Sequence, residues 1–200
     1  MSETVLDKSE LAEKALQDTK VLNELIENLS GASRRVRQVS ASALGIVAKE
    51  NPALLIEHAS SFVDALNRPE AQTRWESLDV LTACISVDSR AVEKAIPGAE
   101  TALFDEDSGP VRLAAMRFIC KFAATTPTRS EKLWPLIDEG IQCYHGDLEF
   151  SDMLVAITEF SLGKIAPSAK EALAERMKFD AENGKGSLRR KAQVIVANVS

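Results

Sequence analysis

At 200 residues, with a net charge of −6 and a pI near 5.1, the chain has no general attraction to polyphosphate, which argues against nucleic acid as a partner. A content of 45% hydrophobic, 5% aromatic and 27% charged residues is the profile of Leu/Ala/Val helices packed through small side chains, and no apolar run approaches membrane-spanning length. The three cysteines (Cys84, Cys120, Cys143) and two histidines (His58, His145) show no metal-ligand spacing, so neither metal nor cofactor is expected, and cysteines acting as small hydrophobes suit a reducing cytoplasm.

Met1–Val5 has neither a basic n-region nor an apolar h-region, and the protein is expected to be soluble and not exported. Asp7–Gln17 reads as a helix with Asp7 or Ser9 as its cap and Leu11, Ala15 and Leu16 as its apolar stripe; its acidic outer face suits an N-terminal cap over residues 1–18. Thr19–Ser30 is a second amphipathic helix. Beyond the Gly31-Ala32-Ser33 connector, Arg34–Ala48 puts Val36, Ser40, Ala43, Leu44 and Val47 on one stripe and leaves Arg35, Gln38 and Ser42 off it.

That third stretch recurs. A step of roughly 37–38 residues, in the range of helical repeat units, sets Arg37 over Arg74 and Arg112, Leu44 over Leu81 and Ile119, and Val47 over Cys84 and Phe122. A further step brings Leu154, Ile157 and Phe160 under Met116, Ile119 and Phe122, with Phe150 in the arginine position. The last puts Leu188, Arg189, Ala192 and Val196 under Val111, Arg112, Ala115 and Ile119. Each copy is preceded by an amphipathic helix: Thr19–Ser30, Pro52–Asn67, Ser89–Phe104, Ser130–Tyr144 and Pro167–Glu182. Pro97 and Pro135 fall at equivalent places in two of these, which predicts a shared kink. The connector Asn183-Gly184-Lys185-Gly186-Ser187 lacks the spacing of a phosphate loop and reads as a turn between helices.

The pattern Val-Arg-x-x-x-x-x-x-Leu-Gly in Val36–Gly45, whose start is repeated at Val111-Arg112, resembles the second helix of a HEAT repeat, and the likeness extends over residues 19–199. It implies an all-α fold: a right-handed α-α superhelix of about five helix pairs behind an N-terminal capping helix. All of residues 1–200 would form a single domain. The second helices would line a concave groove and project into it Gln38 and Ser42, then Trp75, Asp79 and Thr82, then Leu113 and Arg117, then Ser151 and Val155.

Trp75 is the sharpest feature of that groove, because an indole off the core stripe is a common partner anchor. Asp79 and Arg117 occupy equivalent positions on successive repeats and are expected to pair. Trp75, Asp79 and Arg112 together are similar to the tryptophan, aspartate and arginine of the HEAT-like alkylpurine DNA glycosylases. That resemblance would aim Trp75 at a lesion, Asp79 at the charge that develops on glycosidic cleavage, and Arg112 at a backbone phosphate. A basic groove would favour it, whereas the recurrence of Arg37, Arg74 and Arg112 gives Arg112 a structural role. No Ser-His-Asp set has a credible nucleophile turn, and the two histidines fall on different repeats with no evident partner.

The expectation is therefore a non-enzymatic scaffold that binds a protein partner through Gln38, Ser42, Trp75, Asp79, Arg112 and Arg117, the alternative being a DNA-binding or glycosylase-like repair protein. In the last helix Leu188, Ala192, Ile195 and Val199 share a stripe that Val194 and Val196 widen. This predicts a monomer with that face turned onto the preceding repeat, or a weak dimer through it.

Overall fold

The computed structural model describes residues 7–200, among which no β-strand occurs. The chain divides into two compact units, 1–98 and 99–200. In the first, α1 (Lys8–Gln17) packs against α2 (Thr19–Asn28) and α3 (Arg34–Glu50); a 3-10 segment over Pro52–His58 then leads into α4 (Ala59–Ala65), which lies against α5 (Ala71–Asp88). After a short 3-10 turn, Glu93–Ala95, comes α6 (Ile96–Leu103), which begins in the first unit and ends in the second. The second unit continues with α7 (Gly109–Ala123), α8 (Pro127–Tyr144), α9 (Phe150–Ser161), α10 (Pro167–Asn183) and α11 (Gly186–Val199). The described helices thus form the expected five pairs behind α1: α2 with α3, α4 with α5, α6 with α7, α8 with α9 and α10 with α11.

Local chemistry sets where the helices begin. Ser33, Ser108 and Thr126 each accept a hydrogen bond from the backbone N–H three residues on, at 3.4, 3.4 and 3.2 Å, and so satisfy a donor that the first turn leaves unpaired. Prolines occupy the first turns of α7, α8 and α10, where a missing N–H costs nothing. Pro97 belongs with these: as the second residue of α6 it marks a start, and the helix expected over 89–104 is divided there into a 3-10 turn and α6. Pro135 instead lies inside α8, after Trp134, whose ring stacks on Phe160 at 6.4 Å and 12°. The two prolines do different jobs, and the expected shared kink is not found.

The repeat register holds in the core. Leu44, Leu81 and Ile119 are all 0% exposed, as are Val47 and Cys84, with Phe122 at 2%. Two stripes differ from expectation. Val36 is 40% exposed, because at that level it is the buried Arg37 that faces α5. In α1 the buried residues are Ala12 and Ala15, small enough to bring the cap close to α3, while Leu11 and Leu16 are half-buried.

Layers of the second unit are tied by polar links that repeat the sequence period. Between α8 and α10 run Arg176 Nε to Asp138 Oδ1 at 2.5 Å and Ser168 Oγ to Glu131 Oε1 at 3.0 Å, and the fully buried Ser130 hydroxyl accepts from the Ala166 N–H at 2.9 Å. Between α9 and α11, Asn198 Nδ2 donates to Ser161 Oγ at 2.8 Å. The connector after α9 rides so close to the end of α7 that a Cβ on Gly163 would fall 2.5 Å from the Cβ of Ala124, and Lys164 N–H donates to the Ala124 carbonyl at 2.8 Å. Only glycine fits there.

Candidate binding surface

The recurring arginine has a definite task. Arg37 Nε donates to Glu70 Oε2 at 3.2 Å and its Nη2 to Glu70 Oε1, while Nη1 donates to the Gly31 and Ala32 carbonyls at 2.7 and 2.9 Å. Glu70 is the N-cap residue of α5 and only 6% exposed. One guanidinium therefore joins the turn before its own helix to the start of the next repeat's second helix. The hydrogen bond from Arg37 holds the Glu70 carboxyl below its ordinary range, against the opposing effect of burial.

Arg112 repeats the arrangement in the second unit. Its Nε donates to Glu149 Oε1 at 2.8 Å, Nη2 reaches the same oxygen, Nη1 donates to the Asp105 carbonyl at 2.9 Å, and the guanidinium lies 5.1 Å from the centre of the Tyr144 ring. Glu149 is the N-cap residue of α9. Where Phe150 replaces the arginine, the N-cap position of the following second helix is Lys185, not an acid. That joint is made instead by His145, whose Nε2 lies 3.1 Å from both oxygens of the nearly buried Asp180 carboxylate and whose ring tilts against Phe150 at 5.0 Å. The expectation that neither histidine has a partner is corrected at His145; a partner on the next first helix leaves no short-range motif.

In the first unit α3 carries Gln38 and Ser42, and α5 carries Trp75 and Asp79. Ser42, expected to be open, is 4% exposed: it donates to Glu76 Oε1 at 2.9 Å and accepts from Gln72 Nε2 at 2.9 Å. Its hydroxyl is engaged within the chain. Gly45, one turn along, makes room for the same glutamate, since a Cβ there would fall 2.7 Å from Glu76 Oε2. Glu76 was not expected at this surface. The signal for it was the pair of small residues, Ser42 and Gly45, spaced to admit a long side chain. Gln38 is half-buried and lines a shallow recess of about 280 Å3 with Arg35, Val39, Ser42, Gln72, Asp7 and Lys8. Trp75 and Asp79 are half-buried, and no ring contact involves Trp75 among the described residues.

In the second unit Arg117 is exposed on α7, the open face of α9 carries Ser151 and Val155, and Leu162 is exposed just past its end. The last helix packs on both α10 and α9, burying Ala192, Ile195 and Val199 and leaving Val194 47% exposed. No described helix is long and apolar enough to cross a membrane, and no cluster of metal-ligating side chains occurs among the described residues.

A designed armadillo repeat protein in complex with the peptide (KR)4 matches this chain with a TM-score of 0.78 at 18% identity, over 96% of this chain and 90% of that one. Computationally designed armadillo repeat proteins for modular peptide recognition give 0.73 at 17% identity, over 96% and 91%. The archaeal HEAT-like repeats protein from Thermococcus onnurineus NA1 gives 0.55 at 15% identity, over 96% and 92%. The fold is an armadillo/HEAT-like solenoid. No family model matches the chain, and no curated protein is similar to it in sequence.

Stacked helix pairs of an armadillo/HEAT-like solenoid present long faces, and several polar side chains on them are engaged within this chain. Arg112, expected at the groove or on a phosphate, has Glu149, a backbone carbonyl and Tyr144 around its guanidinium. A ligand would have to break those interactions to reach it. Trp75 and Asp79 remain one turn apart on α5.

Proposed function

We propose that the protein is a non-enzymatic scaffold whose second helices hold a segment of a protein partner, with Trp75 as the anchor in the first unit. The observation that carries this reading is the half-buried Trp75 indole, one turn from Asp79 on α5, on a fold whose match in solved structures includes an armadillo protein holding a peptide. An amphipathic ring without an aromatic neighbour can give up water and gain contact at small entropic cost. Gln38 on α3 and Asp79 one turn along α5 supply polar selectivity, and Arg117 serves the open face of α7. Ser42 and Arg112 act within the chain, the first placing Glu76 and Gln72, the second holding the start of α9. The three cysteines carry free thiols, which supports a cytoplasmic setting for the scaffold, and the packing of α11 onto α9 and α10 supports a monomer.

Selection of displayed random peptides on the immobilised protein tests the reading. Enriched peptides should bind Trp75→Ala about 2 kcal/mol or more weaker, the loss typical of a hot-spot tryptophan, while Asp79→Asn changes chiefly the association rate and its salt dependence. Equal binding to wild type and Trp75→Ala would refute the anchor. Release of alkylated bases from duplex DNA, lost in Asp79→Asn, would replace the scaffold with an enzyme.

A further inference from the structure

Between α9 and α11 lies an open recess of about 290 Å3 lined by Val155, Thr158, Glu159, Arg190, Lys191 and Val194. Its two valines are 45% and 47% exposed, and they stand at corresponding levels of the two helices, bracketed by the Lys191 contact with Ser151 on one side and the Asn198 bond to Ser161 on the other. Charge is distributed unevenly around them. Lys191 Nζ donates to the carbonyl and hydroxyl of Ser151, the latter at 2.8 Å. Both acceptors are neutral, so the ammonium is held in place without an ion pair among the described residues. Arg190 makes no ion pair among the described residues, and the sequence from Asn183 to Ser200 contains no acid. Glu159 sits one turn beyond Val155, at the opposite end from Ser151. The first turn of α9 carries Asp152 beside Ser151, whose negative charge offsets the partial positive charge of the helix start there.

Resting on the interaction reading above, we propose that this recess is a subsite for an acidic, apolar segment of a protein partner: one aliphatic or aromatic side chain between Val155 and Val194, and a carboxylate on Arg190 and Lys191. Its volume lies at the lower edge of small-molecule pockets, which begin near roughly 300 Å3. It is open as well as small, so it suits a single anchoring side chain. Four residues of helix separate the Ser151 level from Val155, a rise of about 6 Å. In an extended chain that distance is spanned by about two residues, so the carboxylate belongs one or two positions from the anchor. A nucleic acid would use the cations and leave the valines uncovered; a segment carrying both chemistries uses the whole recess.

The test is fluorescence anisotropy with the full chain and a fluorescein-labelled peptide of repeated Glu-Phe-Glu-Ser units. Controls replace Glu by Gln, replace Phe by Ala, or offer labelled duplex DNA. The acidic phenylalanine peptide should bind with a salt-dependent affinity. Each peptide control, and each of the protein variants Val155→Asp, Val194→Asp and Arg190→Glu, should weaken it about tenfold or more, the scale of one lost anchor or charge contact. Both valines are close to half exposed, so the variants should retain the wild-type circular dichroism. No binding of the acidic peptide, equal binding of its Gln form, or insensitivity to Val194→Asp would overturn the proposal. DNA binding that depends on Arg190 and not on the valines would assign the cations to a polyanion and overturn it too. Failure here with displayed peptides still dependent on Trp75 leaves the scaffold reading standing. Binding here that is unchanged in Trp75→Ala supports this recess as a separate subsite, and the Trp75 anchor stands or falls by the displayed peptides.

Discussion

Replacing Leu81 by alanine probes the repeat register at its centre. The side chain is 0% exposed on α5, at the level occupied by Leu44 in α3 and Ile119 in α7. About three methylene equivalents at about 0.8 kcal/mol each give a transfer loss near 2.4 kcal/mol. A cavity term adds to this, because α5 is held by α3 on one side and by α4 with its 3-10 lead on another, so the hole cannot close freely. The expected destabilisation is about 3–4 kcal/mol, inside the span of about 2–5 kcal/mol for Leu→Ala core changes. For a chain of this size that lowers Tm by about 6–16 °C, at about 2–4 °C per kcal/mol. Urea melts followed by far-UV circular dichroism measure the loss directly. Val36→Ala is the internal control: this residue shares the α3 stripe in the sequence but is 40% exposed, and its loss should stay within about 0.5 kcal/mol, as at ordinary surface sites. A loss below about 1 kcal/mol for Leu81→Ala, under the usual core range, would refute the alignment of repeats on which every other position was placed.

Acid should weaken the first unit through Glu70. Its folded carboxyl is held below the unfolded value of 4.5, so its contribution is fully present above that pH and is lost as pH falls through the depressed folded value. Thermal melts of Glu70→Gln should show a shallower fall in Tm below pH 4.5 than wild type, and an identical slope would remove Glu70 from the acid response. Gly163→Ala should cost about 1–3 kcal/mol, as overpacking does, because the new Cβ meets Ala124 at 2.5 Å with backbone on one side. An unchanged Tm would mean that the connector moves aside without strain.

The fold was legible because its signal is redundant. Leu44, Leu81 and Ile119 fall at one interval, and three buried side chains in one register cannot easily arise from an irregular bundle. Connections of the first helices were less legible: Pro97 and Pro135 look alike in the sequence, and only the 3-10 turn before α6 distinguishes a helix start from a helix interior. Polar side chains on the second helices were the hardest to place. Ser42 lies off the core stripe, as read from helical periodicity, and Arg112 was named for the groove, yet both are taken up by partners more than thirty residues away, Glu76 and Glu149. Periodicity reports which side of a helix a residue occupies; it carries nothing about a long side chain arriving from the neighbouring layer.

The arginine clamps make the joints between repeats sided. Arg37 and Arg112 each belong to one repeat while the glutamates they hold belong to the next, so the α3 and α7 repeats carry donors at their second helices and the α5 and α9 repeats carry the matching acceptors. Gene-level shuffling of these units would therefore not be neutral. Splicing the α3 repeat directly onto the α9 repeat would seat Arg37 against Glu149 and preserve a matched joint. Splicing the α7 repeat onto the α11 repeat would bring Arg112 to Lys185, like charge against like charge. A chain built this way can lengthen or shorten only at compatible seams, and the change from Arg-Glu to His145-Asp180 at its last joint is a seam of a different gauge.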